Sequence, residues 1–262
     1  MSENYLNNIQ FIFSSKIRFN ILLNLYNDDK TLKELEVDLN SGTTTILHKI
    51  KDLINLGLVK KEDKLYSLTV LGLIFVSNFI QTSENCVSME SNSEFWNEHS
   101  LDGIDPYFLT YSHIWEGAEL VISDYSNLNK CFYNYQSKVP KSKYIKKVVP
   151  IFSKFQVVES LDRLKSENDY IEVVTTKSII DSIKDSNIGD EFFKFVRQGK
   201  IELYLSETVD NFYFVCADTF ASLFLFDCDG DFDNLNMLLV TDPLKVRAAN
   251  ELFEIYKNNL KF

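Results

Sequence analysis

The 262 residues are 45% hydrophobic and 14% aromatic, with 8 Gly and 4 Pro, a balance that excludes a disordered chain and supplies enough apolar side chains for two packed domains. The net charge of −11 excludes a broadly basic nucleic-acid binder. No run of about 18 apolar residues occurs, so no membrane span is expected; MSENYLNNIQ has no basic segment leading into an apolar core, so no secretory signal is expected either, and a cytoplasmic location follows.

Leu6, Ile9, Phe13, Ile17, Ile21, Leu22 and Leu25 recur at helical spacing, with Ser14-Ser15 marking a break before a second helix from Lys16 to Tyr26. Asn27-Asp28-Asp29 ends it. Thr31, with Glu34 three residues on, reads as a capping box for a helix that buries Leu32, Leu35 and Val37. Asn40-Ser41-Gly42 makes a turn. The next helix, from Thr43 to Leu56, presents Ile46, Ile50, Leu53 and Ile54 as an apolar stripe, and Gly57 terminates it. Leu58-Val59-Lys60 and Leu65–Leu68 are two strands around a charged tip, Lys61-Glu62-Asp63-Lys64, and Thr69 caps a further helix through Val70, Ile74 and Phe79. Helix, turn, helix, wing is the order of a DNA-reading module.

Residues 82–93 (TSENCVSMESNS) are polar and aperiodic and read as a linker or a frayed helix end. FWNEH (95–99) resumes order with a docking aromatic pair, and Asp105-Pro106 starts a helix; 107–140 carries no readable period. Strands are then expected at Tyr144–Phe152, Tyr170–Thr175, Ile201–Ser206, Phe212–Ala217, Ala221–Asp227 and Met237–Thr241. Helices are expected at Ser153–Ser166, 177–197 and Pro243–Leu260, the last with Pro in its first turn. Strand–helix alternation followed by a run of strands indicates a mixed sheet. The chain is therefore expected to be α/β overall: an N-terminal α+β winged helix-turn-helix domain over 1–81, a linker and docking segment over 82–106, and a sensor-like α/β regulatory domain over 107–262.

Residues 1–80 carry nine Lys/Arg and nine Asp/Glu, so the whole excess of acid falls on 81–262. In the helix-turn-helix motif the start of the second helix enters the major groove. Thr43, Thr44 and Thr45 there offer hydroxyls to phosphates and methyls to thymine; His48 and Lys49 lie one turn further on, and Lys51 could reach the backbone or guanine. In the wing, Lys60, Lys61 and Lys64 would neutralise phosphates, with Tyr66 helping to hold the backbone. A neutral module implies moderate affinity per copy and strong salt sensitivity, with pairing of two copies supplying the rest. Leu73, Phe75, Val76 and Phe79 form an apolar surface too wide for one face of an isolated helix and are expected to make a homodimer.

The remaining chemistry-bearing residues read as structural. His48, His99 and His113 have no Cys or carboxylate at ligand spacing, so no metal is expected. DCDGDFD (227–233) fails the calcium-loop pattern and reads as a hairpin turned at Asp229-Gly230. Cys86, Cys131, Cys216 and Cys228 are far apart, form no CxxC pair and read as free thiols. No GxSxG, Walker loop or GxGxxG is present. The His-x-Lys signature of certain phosphodiesterases is absent too, and Glu159 and Asp162 read as solvated. Neither an enzyme nor a cofactor is expected. Tyr204, Phe212, Tyr213, Phe214, Phe224 and Phe226 supply an aromatic load; of these, Tyr204, Tyr213, Phe224 and Phe226 are the candidates to line a pocket for a small-molecule effector of unknown identity.

TTTILHKIKDLINLGLVKKEDKLYSLTVLG (43–72) resembles the recognition helix and wing of archaeal winged-helix repressors of the ArsR/MarR type. FWNEHSLDGI (95–104), KVVPIF (147–152), SLFLFDCDGDFDNLNMLLVTDP (222–243) and ANELFEIY (249–256) resemble archaeal regulators that carry the methanogenesis-regulator (FilR-like) middle domain. The resemblance implies a transcription regulator from an archaeal cytoplasm that acts on double-stranded DNA as a homodimer. A second reading, a winged helix that docks protein instead of DNA, draws support from the neutral charge of 1–80.

Overall fold

The break at Ser14-Ser15 separates the first two helices in the computed structural model, which describes residues 3–165 and 169–260. Helix α1 spans Glu3–Phe13 and α2 spans Lys16–Asn27, with Ser15 accepting from the Arg18 amide as N-cap. The short strand β1 (Lys30–Thr31) leads into α3 (Leu32–Leu39). Its capping box is complete: Thr31 Oγ1 accepts from the Glu34 amide, and the Glu34 carboxylate accepts from the Thr31 amide at 2.7 Å. Asn40, in the left-handed region (φ 44°), closes α3. Helix α4 (Thr43–Asn55) buries Ile46, Ile50 and Leu53; Val37 and Ile54, expected inside, are exposed.

Gly57 ends α4 at φ 73°. The Gly57 amide donates to Ile54 O (2.9 Å) and the Leu58 amide to Leu53 O (3.0 Å), the paired bonds of a Schellman motif. Strands β2 (Val59–Glu62) and β3 (Leu65–Leu68) follow in a three-stranded antiparallel sheet of order β1-β3-β2. The charged tip is shorter than expected: Lys61 and Glu62 belong to β2, and Asp63 (φ 54°) with Lys64 makes the turn. Thr69 Oγ1 accepts from the Gly72 amide (3.0 Å) and donates to Gly57 O (2.6 Å), which ties the start of α5 (Val70–Ser91) to the end of α4. Ile12, Ile21, Leu22, Leu35, Ile46, Ile50 and Leu53 form the core of this part.

The chain divides into two compact units, 1–83 and 84–262. Residues 82–91, read as a linker or a frayed helix end, are the end of α5, where tertiary bonds hold a polar helix end that has no apolar stripe. Asn85 donates to Thr110 O and accepts from the His113 amide, and Ser88 Oγ donates to Ser112 O. Phe95 is a core residue of the second unit with Trp96 packed against the same core, the aromatic pair expected to dock at 95–99, and Ile104 joins them.

The second unit runs α6 (Ser93–Glu98), β4 (His99–Ser100), α7 (Pro106–Leu109), β5 (Glu119–Ile122), α8 (Lys130–Lys138), β6 (Tyr144–Val148), α9 (Lys154–Arg163), β7 (Tyr170–Thr176), α10 (Lys177–Lys184), α11 (Gly189–Arg197), β8 (Ile201–Ser206), β9 (Phe212–Ala217), β10 (Ala221–Asp227), β11 (Asn236–Val240) and α12 (Pro243–Asn258). The sheet order is β5-β11-β10-β9-β6-β7-β8, with β4 paired to the end of β10. β6, β7 and β8 are parallel and the rest antiparallel, the mixed sheet expected of an α/β domain. All six residues of β9 are buried, as a central strand covered on both faces requires. Tyr213 and Val215 pack with Leu161, Ile180 and Phe192 on one face. Phe212 and Phe214 pack with Phe95, Trp115 and Phe253 on the other. α7 starts at Pro106 with Asp105 as its N-cap, as expected, the unread stretch 107–140 contains β5 and α8, and the expected 177–197 helix is two helices. The side chain of Leu6, and Ser166 at the expected end of α9, lie outside the described residues. Among the described residues no helix is long and apolar enough to cross a membrane.

Candidate nucleic-acid interface

With Ile46, Ile50 and Leu53 turned inward, the 3.6-residue period of α4 puts Thr44, His48, Lys51 and Asn55 along its outer face. All four are exposed, as are Thr43 and Thr45, while Lys49 is half-buried at the flank. Asn55 was missed by reading only the helix start, although it continues the 44, 48, 51 spacing. Asp52 adds an acid beside this face. Its carboxylate takes a 3.2 Å ion pair from the buried Arg18 and lies 3.7 Å from His48 Nδ1. The Arg18 guanidinium also covers the Phe11 ring at 3.6 Å, so Asp52 is held from beneath and α2 is tied to α4.

The wing is less basic than its lysine count. Lys60 Nζ pairs with Glu62 at 2.8 Å, which holds the Lys60 ammonium above its usual value. Lys61 Nζ lies 5.4 Å over the Tyr66 ring, and Lys64 sits at the turn. Tyr66 itself is 3% exposed and part of the core, so its side chain is not at the surface where a phosphate contact was expected: in β3 it alternates inward.

The expected dimerising set splits. Val76 is fully buried in the core of its own unit, and Phe75 is partly buried there. Phe79 packs its ring on Phe19 and Phe13, with centroids at 4.4 and 5.1 Å; Leu73 is exposed. Around them Ile9, Phe13, Leu71, Ile74 and Phe79 line an apolar groove of about 560 Å³ between α1 and α5.

The expected effector residues do not share one pocket. Tyr213 and Phe224, with ring centroids 6.0 Å apart, lie on the sheet face covered by α9 and α11, and Phe226 reaches the same cluster through Phe232. Tyr204 belongs to the opposite face, under Lys257. One further reading is corrected. Glu159 is buried, not solvated, whereas Asp162 pairs with Lys165 at the surface. His99 is buried between two acceptors, the Phe95 carbonyl and the Asp233 carboxylate (2.9 Å to Nε2). Burial alone would lower its pKa, but the bonds to Asp233 and Phe95 hold it above the ordinary value. At 227–231 the Asp227 carboxylate accepts from the Asp229 and Asp231 amides and Gly230 stands at φ 88°, a tight turn at the Asp229-Gly230 position expected.

Family models of the methanogenesis regulatory protein FilR1 match two stretches of this chain: the N-terminal domain at residues 6–83 and the middle domain at residues 129–259. The methanogenesis regulatory protein FilR1 of Methanothrix harundinacea (strain 6Ac) is 23% identical over 252 residues, 95% of this chain and 56% of its own length. The chain thus spans little more than half of that relative. Among solved structures, TrmBL2, described as an archaeal chromatin protein with a novel mode of DNA binding, is 14% identical, with 94% of each chain covered and a TM-score of 0.41. NucT from Helicobacter pylori is 11% identical over 55% of this chain and 98% of its own, also with a TM-score of 0.41.

Proposed function

We propose that this chain, which belongs to the FilR1 family of methanogenesis regulatory proteins, is a DNA-binding transcription regulator that reads the major groove through α4. The observation that carries the reading is the outer face of α4, where Thr44, His48, Lys51 and Asn55 stand in one exposed row beside the β2–β3 wing. Asn and Lys can address adenine and guanine edges, and the threonines can address phosphates and thymine methyls. Thr43, Thr45 and Lys49 flank the row. Lys61 and Lys64 are the wing cations left for phosphate, since Lys60 is paired with Glu62. A module with no net charge grips the backbone weakly, so two copies joined through α1 and α5, with Leu73 and the groove beside Phe79 at the contact, would address two half-sites. The 84–262 unit would then act as a sensor that alters this grip. Nothing in this assignment calls for catalysis.

Fluorescence anisotropy with DNA from the promoter of its own gene tests the reading. Thr44→Ala, His48→Ala and Lys51→Ala combined should weaken binding at least about tenfold, the equivalent of about 1.4 kcal/mol; unchanged affinity sinks the assignment of α4. A complete lack of salt-dependent DNA binding would favour the other reading, a winged helix that docks protein, which the neutral charge of residues 1–80 supports.

A further inference from the structure

The sheet face beneath α8 and α9 holds a pocket that none of the residues discussed for DNA involves. Past the end of β6 the chain crosses Val149–Ser153 and enters α9. A cleft of about 270 Å³ opens there, and a smaller cavity of about 40 Å³ adjoins it. The two share Ile151, Ser153, Gln156 and Tyr213. The region outside the carboxyl ends of parallel strands is where open α/β sheets take their ligands.

The wall is aromatic. The Phe132 and Phe155 rings meet with centroids 4.2 Å apart and planes tilted by 55°, and Phe155 is 59% exposed. Further in, Phe232 meets Tyr213 at 6.2 Å and Phe224 at 6.0 Å. The inner cavity is lined by Lys147, which is 3% exposed and 5.4 Å from the Tyr135 ring. Its Nζ donates to Ser160 Oγ at 2.9 Å, and no carboxylate of the described residues lies within 4.0 Å of it. Burial lowers the Lys147 pKa, and the charge of Glu159 partly opposes this; an ammonium carries three donors and an unpaired buried charge is costly, so a carboxylate reaching Nζ would favour the charged form. Glu159 does not supply the missing acceptor. It lines neither cavity, both of its carboxyl oxygens lack a hydrogen-bond partner, and burial pushes its carboxyl up towards the neutral acid. The Tyr135 hydroxyl, which is buried, is also without a partner.

We infer that this pocket binds a small organic acid with a flat apolar body, its carboxylate directed to Lys147 and its body laid along the aromatic wall of Phe132, Phe155 and Phe232. The inference rests on the sensor reading only for its biological purpose; the site itself stands on the cavity and its lysine.

Saturation-transfer NMR and calorimetry on the full chain, with phenylacetate and indole-3-acetate as probes and phenylacetamide as the uncharged counterpart, test it. At least one acid should bind, about tenfold or more tighter than the amide. Lys147→Met should erase that preference. Phe155→Asp, a change at the exposed mouth that leaves the core intact, should weaken the acid by about tenfold or more. Failure of both acids to bind, equal binding of acid and amide, or full binding by Phe155→Asp overturns the site. Anisotropy on promoter DNA with saturating acid separates the two ideas: acid binding with unchanged DNA affinity sinks the sensor reading and leaves the site standing.

Discussion

Replacing Gly72 with alanine would place a methyl carbon 2.0 Å from the Leu58 carbonyl oxygen and 3.0 Å from its carbon. Real Cβ atoms essentially never come closer than 3.0 Å, so α5 and the entry to the wing must separate by about 1 Å. Leu58 cannot easily yield. Its amide closes the C-terminal cap of α4, its carbonyl accepts from the Thr69 amide at 2.9 Å, and its side chain is buried. Overpacking of this kind costs about 1–3 kcal/mol, and loss of the Thr69–Leu58 bond about 1 kcal/mol more. The better helix propensity of alanine returns about 1 kcal/mol. The net expectation is a destabilisation of about 1–3 kcal/mol, local to residues 53–72. Native-state amide exchange reads it directly: the Leu58 and Thr69 amides should exchange roughly five- to hundredfold faster. Unchanged exchange would refute the clash at Leu58, and slower exchange would refute it more plainly, since that is what an ordinary Gly→Ala replacement on an open helix surface produces.

Tyr66→Phe should leave promoter affinity within about twofold of the parent, because the ring is inside the core, whereas Tyr66→Ala should cost about 3–5 kcal/mol of stability; a large affinity loss in the phenylalanine variant that spares stability would restore Tyr66 to the interface. Leu73→Asp, on an exposed position of α5, should turn a dimer into a monomer by light scattering, and a dimer that persists places the contact elsewhere. His99, held above its ordinary pKa by Asp233 and Phe95, contributes stability that is complete below the unfolded value of about 6.5 and is lost as pH rises through the folded value. Thermal denaturation should therefore show the second unit weakening as pH rises above about 6.5, and His99→Gln should flatten that slope; an identical slope in the variant would mean that another group is responsible.

Local rules carried the first unit well. The Thr31/Glu34 box, the Gly57 terminus and the break at Ser14-Ser15 each depend on residues a few positions apart, and each stands where its chemistry put it. Strand parity was harder. Tyr66 and the aromatic residues at 204, 213 and 224 were grouped by type, but which face each one takes depends on register with strands far away in the chain. The adjacent lysines of β6 make the point: Lys146 turns to Glu254 and Lys257's partner Glu172, while Lys147 turns to Ser160 on the opposite face. The polar segment 82–91 folds as helix through side chains whose partners lie at 110–113, and β5 and α8 are joined by an Asp124 turn that accepts the Ser126 and Asn127 amides. The candidate α4 face was legible from helical period, with Asn55 the omission. The burial of Glu159, in α9 of the second unit, had no local signal.

The Lys60–Glu62 pair has a consequence for how such a reader would find its site. Sequence-independent attraction to phosphates is what lets a protein slide along a duplex between encounters. A wing that shields one of its own three lysines, on a unit with no net charge, offers little of that attraction. Its visits to arbitrary DNA would be brief and its search three-dimensional, with dwell time set by base contacts at the target. Glu62 is then a single position from which residence on the genome could be lengthened or shortened without touching the residues that choose the sequence.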